Sequence, residues 1–129
     1  MRVFLVFAVG GGGYAFHKRE GHPVLERVFS HRDMSVVAVD PVAFKREKAM
    51  EFGATHTVAS MADAFPLLQQ ITRGVMADKA IYTVGVAEGE DMSTVMSLIS
   101  KGGRMVITAV APLANMDVKM NLFELTIFQ

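Results

Sequence analysis

The sequence predicts a doubly wound α/β domain built on a parallel sheet of about five strands. Three observations predict it. Five short runs, residues 3–9, 36–39, 56–59, 80–84 and 105–110, are almost continuously apolar and rich in β-branched side chains, as strands covered on both faces are. Segments of helical character separate these runs, so strands alternate with helices instead of following one another through hairpins. The connections after the first are short, and right-handed crossovers are then the default.

Composition agrees with a single globular unit. The 129 residues are 51% hydrophobic and 20% charged, enough apolar surface for one core and too little charge for disorder. We read 1–129 as a single domain, with residues 16–34 an irregular or divergent segment. Thirteen basic residues balance thirteen acidic ones, so no net field draws the chain to nucleic acid or to a membrane surface. With no Cys, disulfides, thiolate nucleophiles and Cys-based zinc sites are excluded. The ten Met read as core filler. The apolar run 3–9 is far short of the roughly 20 residues of a membrane span, and we expect a buried strand and a cytoplasmic protein.

The elements follow in order. After the first strand comes a four-glycine run, Gly10 to Gly13. Gly10, Gly12 and Ala15 match G-x-G-x-x-G/A, in which the first glycine turns the chain, the second admits a pyrophosphate and the small third residue lets helix and strand pack. Four consecutive glycines fit many such templates, and a plain flexible turn is the alternative. The second strand is Val36-Val37-Ala38-Val39 and it ends in Asp40. Pro41 stands where a first helical residue would, since its missing N–H costs nothing there. Val42, Ala49 and Phe52 then form one stripe and Gly53 supplies the left-handed stop. Ser60-Met61-Ala62-Asp63 reads as a capping box, although Pro66 implies a kink or a later start. The fourth connection reads as a helix from about Asp91 to Lys101, with Met92, Val95, Met96 and Ile99 inward and Gly102-Gly103 ending it.

A carboxylate ending the second strand can accept hydrogen bonds from both hydroxyls of an adenosine ribose. Capping of the following helix is the competing role, and the two can coexist. The same acid sets a preference between cofactors. A 2′-phosphate facing a carboxylate meets repulsion of about 4 kcal/mol per charge pair at about 4 Å and an effective dielectric constant near 20, which favours NAD over NADP. Lys45 and Arg46, one turn further on, offset part of that repulsion unless they serve only as a solvated helix face.

From residue 36 onward the chain resembles the C-terminal coenzyme-binding domain of zinc-type medium-chain alcohol dehydrogenases. The residues that carry the resemblance are Val36-Val37-Ala38-Val39-Asp40-Pro41, Lys45-Arg46-Glu47-Lys48-Ala49-Met50-Glu51-Phe52-Gly53-Ala54-Thr55, Thr83-Val84-Gly85 and Gly102-Gly103-Arg104-Met105-Val106. The stretch from Gly10 through Gly13 to Ala15 is similar to that family's glycine loop. Within the family, the actinobacterial NAD-dependent or nicotinoprotein branch looks nearest. The resemblance implies a Rossmann-like fold and a nicotinamide dinucleotide as cofactor. It implies that Asp40 and Lys45 hold the adenosine ribose, that Val84 and Gly85 line the crevice after the fourth strand, and that Ala109 and Val110 meet the nicotinamide after the fifth. Ordinary strand-end packing is the alternative for these apolar positions.

Two departures from the family pattern stand out. Ala15 and Asp40 are 25 residues apart, several more than the family spends there, and Gly21 and Pro23 interrupt the intervening helix. The family's catalytic zinc domain, which precedes this one, and its sixth strand have no counterpart in the sequence. Zinc is thus implied for the full-length family and is not expected on this chain. The open sheet edge left behind is expected to meet a second copy or a catalytic-domain partner.

No self-contained catalytic site emerges. His17, His22 and His31 fall at spacings of five and nine, which match no zinc motif, and with His56 they read as surface histidines. Tyr14 and Tyr82 lack a Lys at the spacing of a proton-transfer pair. Ser93 and Ser97 lack a nucleophile elbow. The expected function is therefore the NAD-binding part of an alcohol dehydrogenase, inactive by itself. A non-catalytic NAD-binding sensor or partner module is the second reading, and an S-adenosylmethionine-dependent methyltransferase the third.

Overall fold

The computed structural model describes residues 2–7, 34–84, 88–108 and 117–121. Within them lie five strands and three helices: β1 (Arg2–Phe7), β2 (Met34–Val39), α1 (Ala43–Glu51), β3 (His56–Val58), α2 (Met61–Thr72), β4 (Ala77–Tyr82), α3 (Asp91–Ser97) and β5 (Ile99–Ile107). The strands form one sheet in the order β3-β2-β1-β4-β5, and every neighbouring pair is parallel. The first crossover and the end of the chain lie outside the described residues.

The strand order explains the layers. From β2 to β3 the chain steps towards one edge, and from β3 to β4 it returns past β1 towards the other. Crossovers of one hand then place the connecting helices on opposite faces. Burial shows this directly. Val37 and Val39 of β2 pack with Ala64 and Leu68 of α2 and with Met92 and Val95 of α3. Ala38, between them, points the other way to Ala49 of α1 and Ala54. The first face holds the main core, where each fully buried Leu or Val contributes roughly 1.5–3 kcal/mol. The second is lined here by alanines.

That thin contact corrects the expected stripe of α1. Ala49 alone of the three is buried, and Phe52 is 50% exposed, as is much of Phe44 at 63%. Pro41 is not the first helical residue either. Val42 is the N-cap and Ala43 the first residue of the helix, because the Asp40 carboxylate captures the Val42 N–H and turns the chain before it coils. Gly53 does take a positive φ, of 107°, which L-residues disfavour.

The Gly-Ala-Thr that follows has a physical account. Ala54 fills the small space under α1, its N–H reaching the Ala49 carbonyl at 2.9 Å. The Thr55 hydroxyl donates to the Val36 carbonyl at 2.9 Å and accepts from the Val36 N–H at 3.0 Å. Thr55 thereby extends the β2–β3 pairing, which begins at Val37 and His56, by one side-chain rung.

Helix α2 begins where the capping signal placed it. Ser60 Oγ accepts the Asp63 N–H at 3.1 Å and donates to Asp63 Oδ2 at 2.7 Å, and Pro66 sits inside the helix without delaying its start. Helix α3 is shorter than the sequence predicts. It stops at Ser97, and residues 99–101 belong to β5. Leu98 is fully buried and turns the chain into the sheet. Gly102, at φ 70°, then absorbs a register irregularity before Arg104 resumes pairing with Lys79. The strand β4 also starts earlier than expected, because Asp78 hides a polar role inside it: its Oδ2 accepts the Val3 N–H at 2.8 Å.

Candidate functional site

The register aligns one end of the sheet. Phe7 pairs with Val39 on one side and Tyr82 on the other, Val39 with Val58, and Tyr82 with Ile107. Asp40, Ala59, Thr83 and Thr108 therefore stand one residue beyond the carboxyl ends of neighbouring strands. The strand order reverses between β1 and β4, and in open α/β sheets ligands settle outside the carboxyl ends at such a reversal.

Asp40 is the charged residue buried at that edge, at 3% exposure. Its N–H donates to the Val58 carbonyl at 3.1 Å, which anchors the strand end beside β3. Oδ1 accepts the Val42 N–H at 2.8 Å, so the capping role is filled. Oδ2 is buried and lacks a hydrogen-bond donor among the described residues. Lys45 Nζ lies 3.9 Å from it, an ion-pair distance without a hydrogen bond. A buried acceptor left open costs about 1–3 kcal/mol, and a carboxylate in this state is suited to receive a hydroxyl donor. Capping thus occupies one oxygen of the side chain and leaves the other open.

Arg46, which the sequence offers only as a counterweight to a 2′-phosphate or as part of a solvated helix face, also reaches this turn. Its Nη1 donates to the Asp40 main-chain carbonyl at 2.8 Å. The signal that could have found it is spacing: a residue in the first turn of a helix can fold back over the strand end that precedes it. Val84 lies on the same edge, two strands from Asp40, a lateral separation of about 10 Å at normal strand spacing. It is 5% exposed and packed within the main core, so most of its surface is committed to packing. Gly10, Gly12, Gly13, Ala15, Gly85, Ala109 and Val110 lie outside the described residues.

Tyr82 ends β4 fully buried, and its hydroxyl donates to Asp91 Oδ2 at 2.8 Å. Burial, reinforced by the Asp91 carboxylate, raises its ionisation well above the ordinary tyrosine range. It holds the start of α3 to the sheet. Ser97 Oγ donates to the Thr94 carbonyl at 2.6 Å, and His56 Nδ1 lies 3.0 Å from Thr55 Oγ1. Among the described residues no three His, Asp or Glu side chains come together to hold a metal ion. No helix there is long and apolar enough to cross a membrane.

Five parallel strands in this order, helices on both faces and an acid closing the second strand define the Rossmann-type class of α/β domains. The sequence profile of the zinc-binding dehydrogenases matches residues 28–129, which is most of the chain. The chain belongs to that family. It is 37% identical over 124 residues to alcohol dehydrogenase B of Mycobacterium tuberculosis, covering 96% of this chain and 32% of that protein. It is 43% identical over 95 residues to the NDMA-dependent alcohol dehydrogenase of Amycolatopsis methanolica, covering 74% of this chain and 26% of that protein. Both relatives are actinobacterial, as the sequence resemblance indicates. A zinc-binding dehydrogenase from Sinorhizobium meliloti 1021, solved bound to NADP, superposes with a TM-score of 0.65 at 24% identity, over 98% of this chain and 34% of that one. The chain spans about a third or less of the length of these relatives.

Proposed function

We propose that this chain is the nicotinamide-dinucleotide-binding unit of an alcohol dehydrogenase that transfers hydride between an alcohol or aldehyde and NAD. The single observation that carries this reading is Asp40 Oδ2, a carboxylate oxygen buried without a donor at the carboxyl edge of the sheet, beside Lys45. The lower cost of that oxygen with a ribose hydroxyl bound to it is what the site offers a ligand. Family membership supports a nicotinamide nucleotide over S-adenosylmethionine as the ligand.

Among nicotinamide nucleotides the acid favours NAD. The neighbour from Sinorhizobium meliloti carries NADP, so the fold itself accommodates a 2′-phosphate, and the choice rests on the side chains around the ribose. We assign the buried Asp40 carboxylate to that place in this chain, with Lys45 and Arg46 as counterweights. Gly10, Gly12, Gly13 and Ala15 would cradle the pyrophosphate, Val84 and Gly85 would line the crevice, and Ala109 and Val110 would face the nicotinamide.

The nicotinamide nucleotide supplies the hydride acceptor when bound. The described residues offer no ligand set for zinc, so we assign the metal and the alcohol pocket to another part of the enzyme. Among the described residues β5 is one of the two edge strands, with Val106 and Ile107 about half exposed, and its edge is the surface we assign to a partner domain or a second copy. Titration of the chain with NADH and NADPH, followed by nicotinamide fluorescence, tests the reading. Saturable NADH binding with weaker NADPH binding is expected. No binding of either at millimolar concentration, or a preference for NADPH, would overturn it.

A further inference from the structure

Asp40 is held from two sides by consecutive residues of α1. Lys45 approaches the side chain at Oδ2. Arg46 instead takes the main chain, donating to the Asp40 carbonyl at 2.8 Å. That carbonyl belongs to the Asp40–Pro41 peptide, and Pro41 brings no N–H of its own to fix the turn. The plane of this peptide sets ψ at Asp40, and with it where the following backbone and the Val42 N–H stand relative to the carboxylate. Oδ1 is then delivered to the Val42 N–H and Oδ2 is left buried and open. A turn built for stability alone would swing the carboxylate towards solvent or give its second oxygen a donor.

We propose that Arg46 is a positioning residue of the ribose site: its bond to the Asp40 carbonyl holds the carboxylate where Oδ2 meets the adenosine 2′-hydroxyl. The inference rests on the dinucleotide reading above and adds a residue that acts through Asp40 without touching the cofactor. Lys at this position would reach the same carbonyl as a flexible point charge, without the fixed direction of a guanidinium N–H.

The test compares NAD with an analogue lacking the adenosine 2′-hydroxyl, measured by calorimetry on the unaltered chain, R46A, R46K, D40N and the D40N/R46A pair. The unaltered chain is expected to bind NAD at least about tenfold more tightly than the analogue, the scale of one hydrogen bond to a charged acceptor. R46A should reduce that ratio to below about threefold while leaving the analogue's affinity within about twofold, and R46K should restore part of it. In D40N, adding R46A should change NAD affinity little. Equal weakening of NAD and analogue by R46A would show a merely structural role and overturn the proposal, as would a ratio that R46A leaves intact. If R46A fails to fold, the same comparison between R46K and R46Q decides, since only the lysine keeps a charge at the carbonyl. An unaltered chain that binds both compounds equally would sink the ribose role of Asp40 itself, and the failure would then belong to the underlying reading.

Discussion

Replacing Asp40 by Asn should separate stability from binding. Without ligand, the carboxylate gains gross attraction of about 4 kcal/mol from Lys45, taking the 3.9 Å separation and an effective dielectric constant near 20. Against this stand a desolvation cost of several kcal/mol for a buried ion and about 1–3 kcal/mol for the open Oδ2. Asn keeps the oxygen that accepts the Val42 N–H, at the cost of a weaker, uncharged bond. These terms nearly cancel, so we expect D40N to differ from the parent by no more than about 1 kcal/mol, or about 3–5 °C in melting temperature for a domain of this size. The stabilisation conferred by NAD should fall by about tenfold in apparent affinity, the value of one lost charge-assisted hydrogen bond. Urea denaturation of the free chain, together with melting curves at increasing NAD, measures both. A loss above about 3 kcal/mol without ligand would show that the Asp40–Lys45 pair is a structural ion pair of the strong kind. An unchanged response to NAD would refute the ribose contact.

Further expectations concern the fold. Thr55→Val should cost about 1–2 kcal/mol in urea denaturation, since it removes both side-chain bonds to Val36 and strands the Val36 N–H, and Thr55→Ser should recover most of it; equal stability of the Val variant would show that water replaces the hydroxyl. Tyr82 keeps its proton in the folded chain above the ordinary value near 10 at which the unfolded chain releases it. The unfolded state therefore binds fewer protons there, and stability should decline as pH rises beyond about 10. Tyr82→Phe should remove that part of the alkaline decline, at the cost of the Asp91 bond at neutral pH, as paired denaturation curves at pH 8 and 10.5 would show. Gly103→Ala should destabilise measurably, because an added Cβ would stand 2.9 Å from the Ser100 carbonyl oxygen and 3.1 Å from that of Asp78; a Tm equal to the parent's would mean that β5 shifts freely at that point.

What could be read from the residues follows the physics of each element. The β-branched interior strands declare themselves because both of their faces are covered, and β2 is recovered from Val36 to Val39, with Met34 and Ser35 missed. The strand β4 hides its start, since Asp78 and Lys79 look like loop residues until the Asp78 bond to Val3 is seen. The outer strand β5 carries Lys101 and Arg104 because little covers its outer face, so its first residues resemble the end of a helix. The α1 stripe misleads for a related reason: contact through alanines leaves the large apolar residues of that helix exposed. At the site, Asp40 is recognisable from its place at a strand end. Arg46 is marked only by its spacing from the strand end, and Thr55 acts on backbone atoms of β2 that folding brings beside it.

The most direct test of the central claim is to map NAD binding on the isotopically labelled chain by amide chemical shifts. The account predicts that the largest changes fall on Val39, Asp40, Val42, Lys45, Ala59, Thr83 and Val84, the carboxyl edge of the sheet around Asp40. It would be contradicted by shifts concentrated at the opposite end, in the cleft of about 600 Å³ lined by Phe65, Gln69, Met76, Asp78 and Met96, or by a spectrum that NAD leaves unchanged.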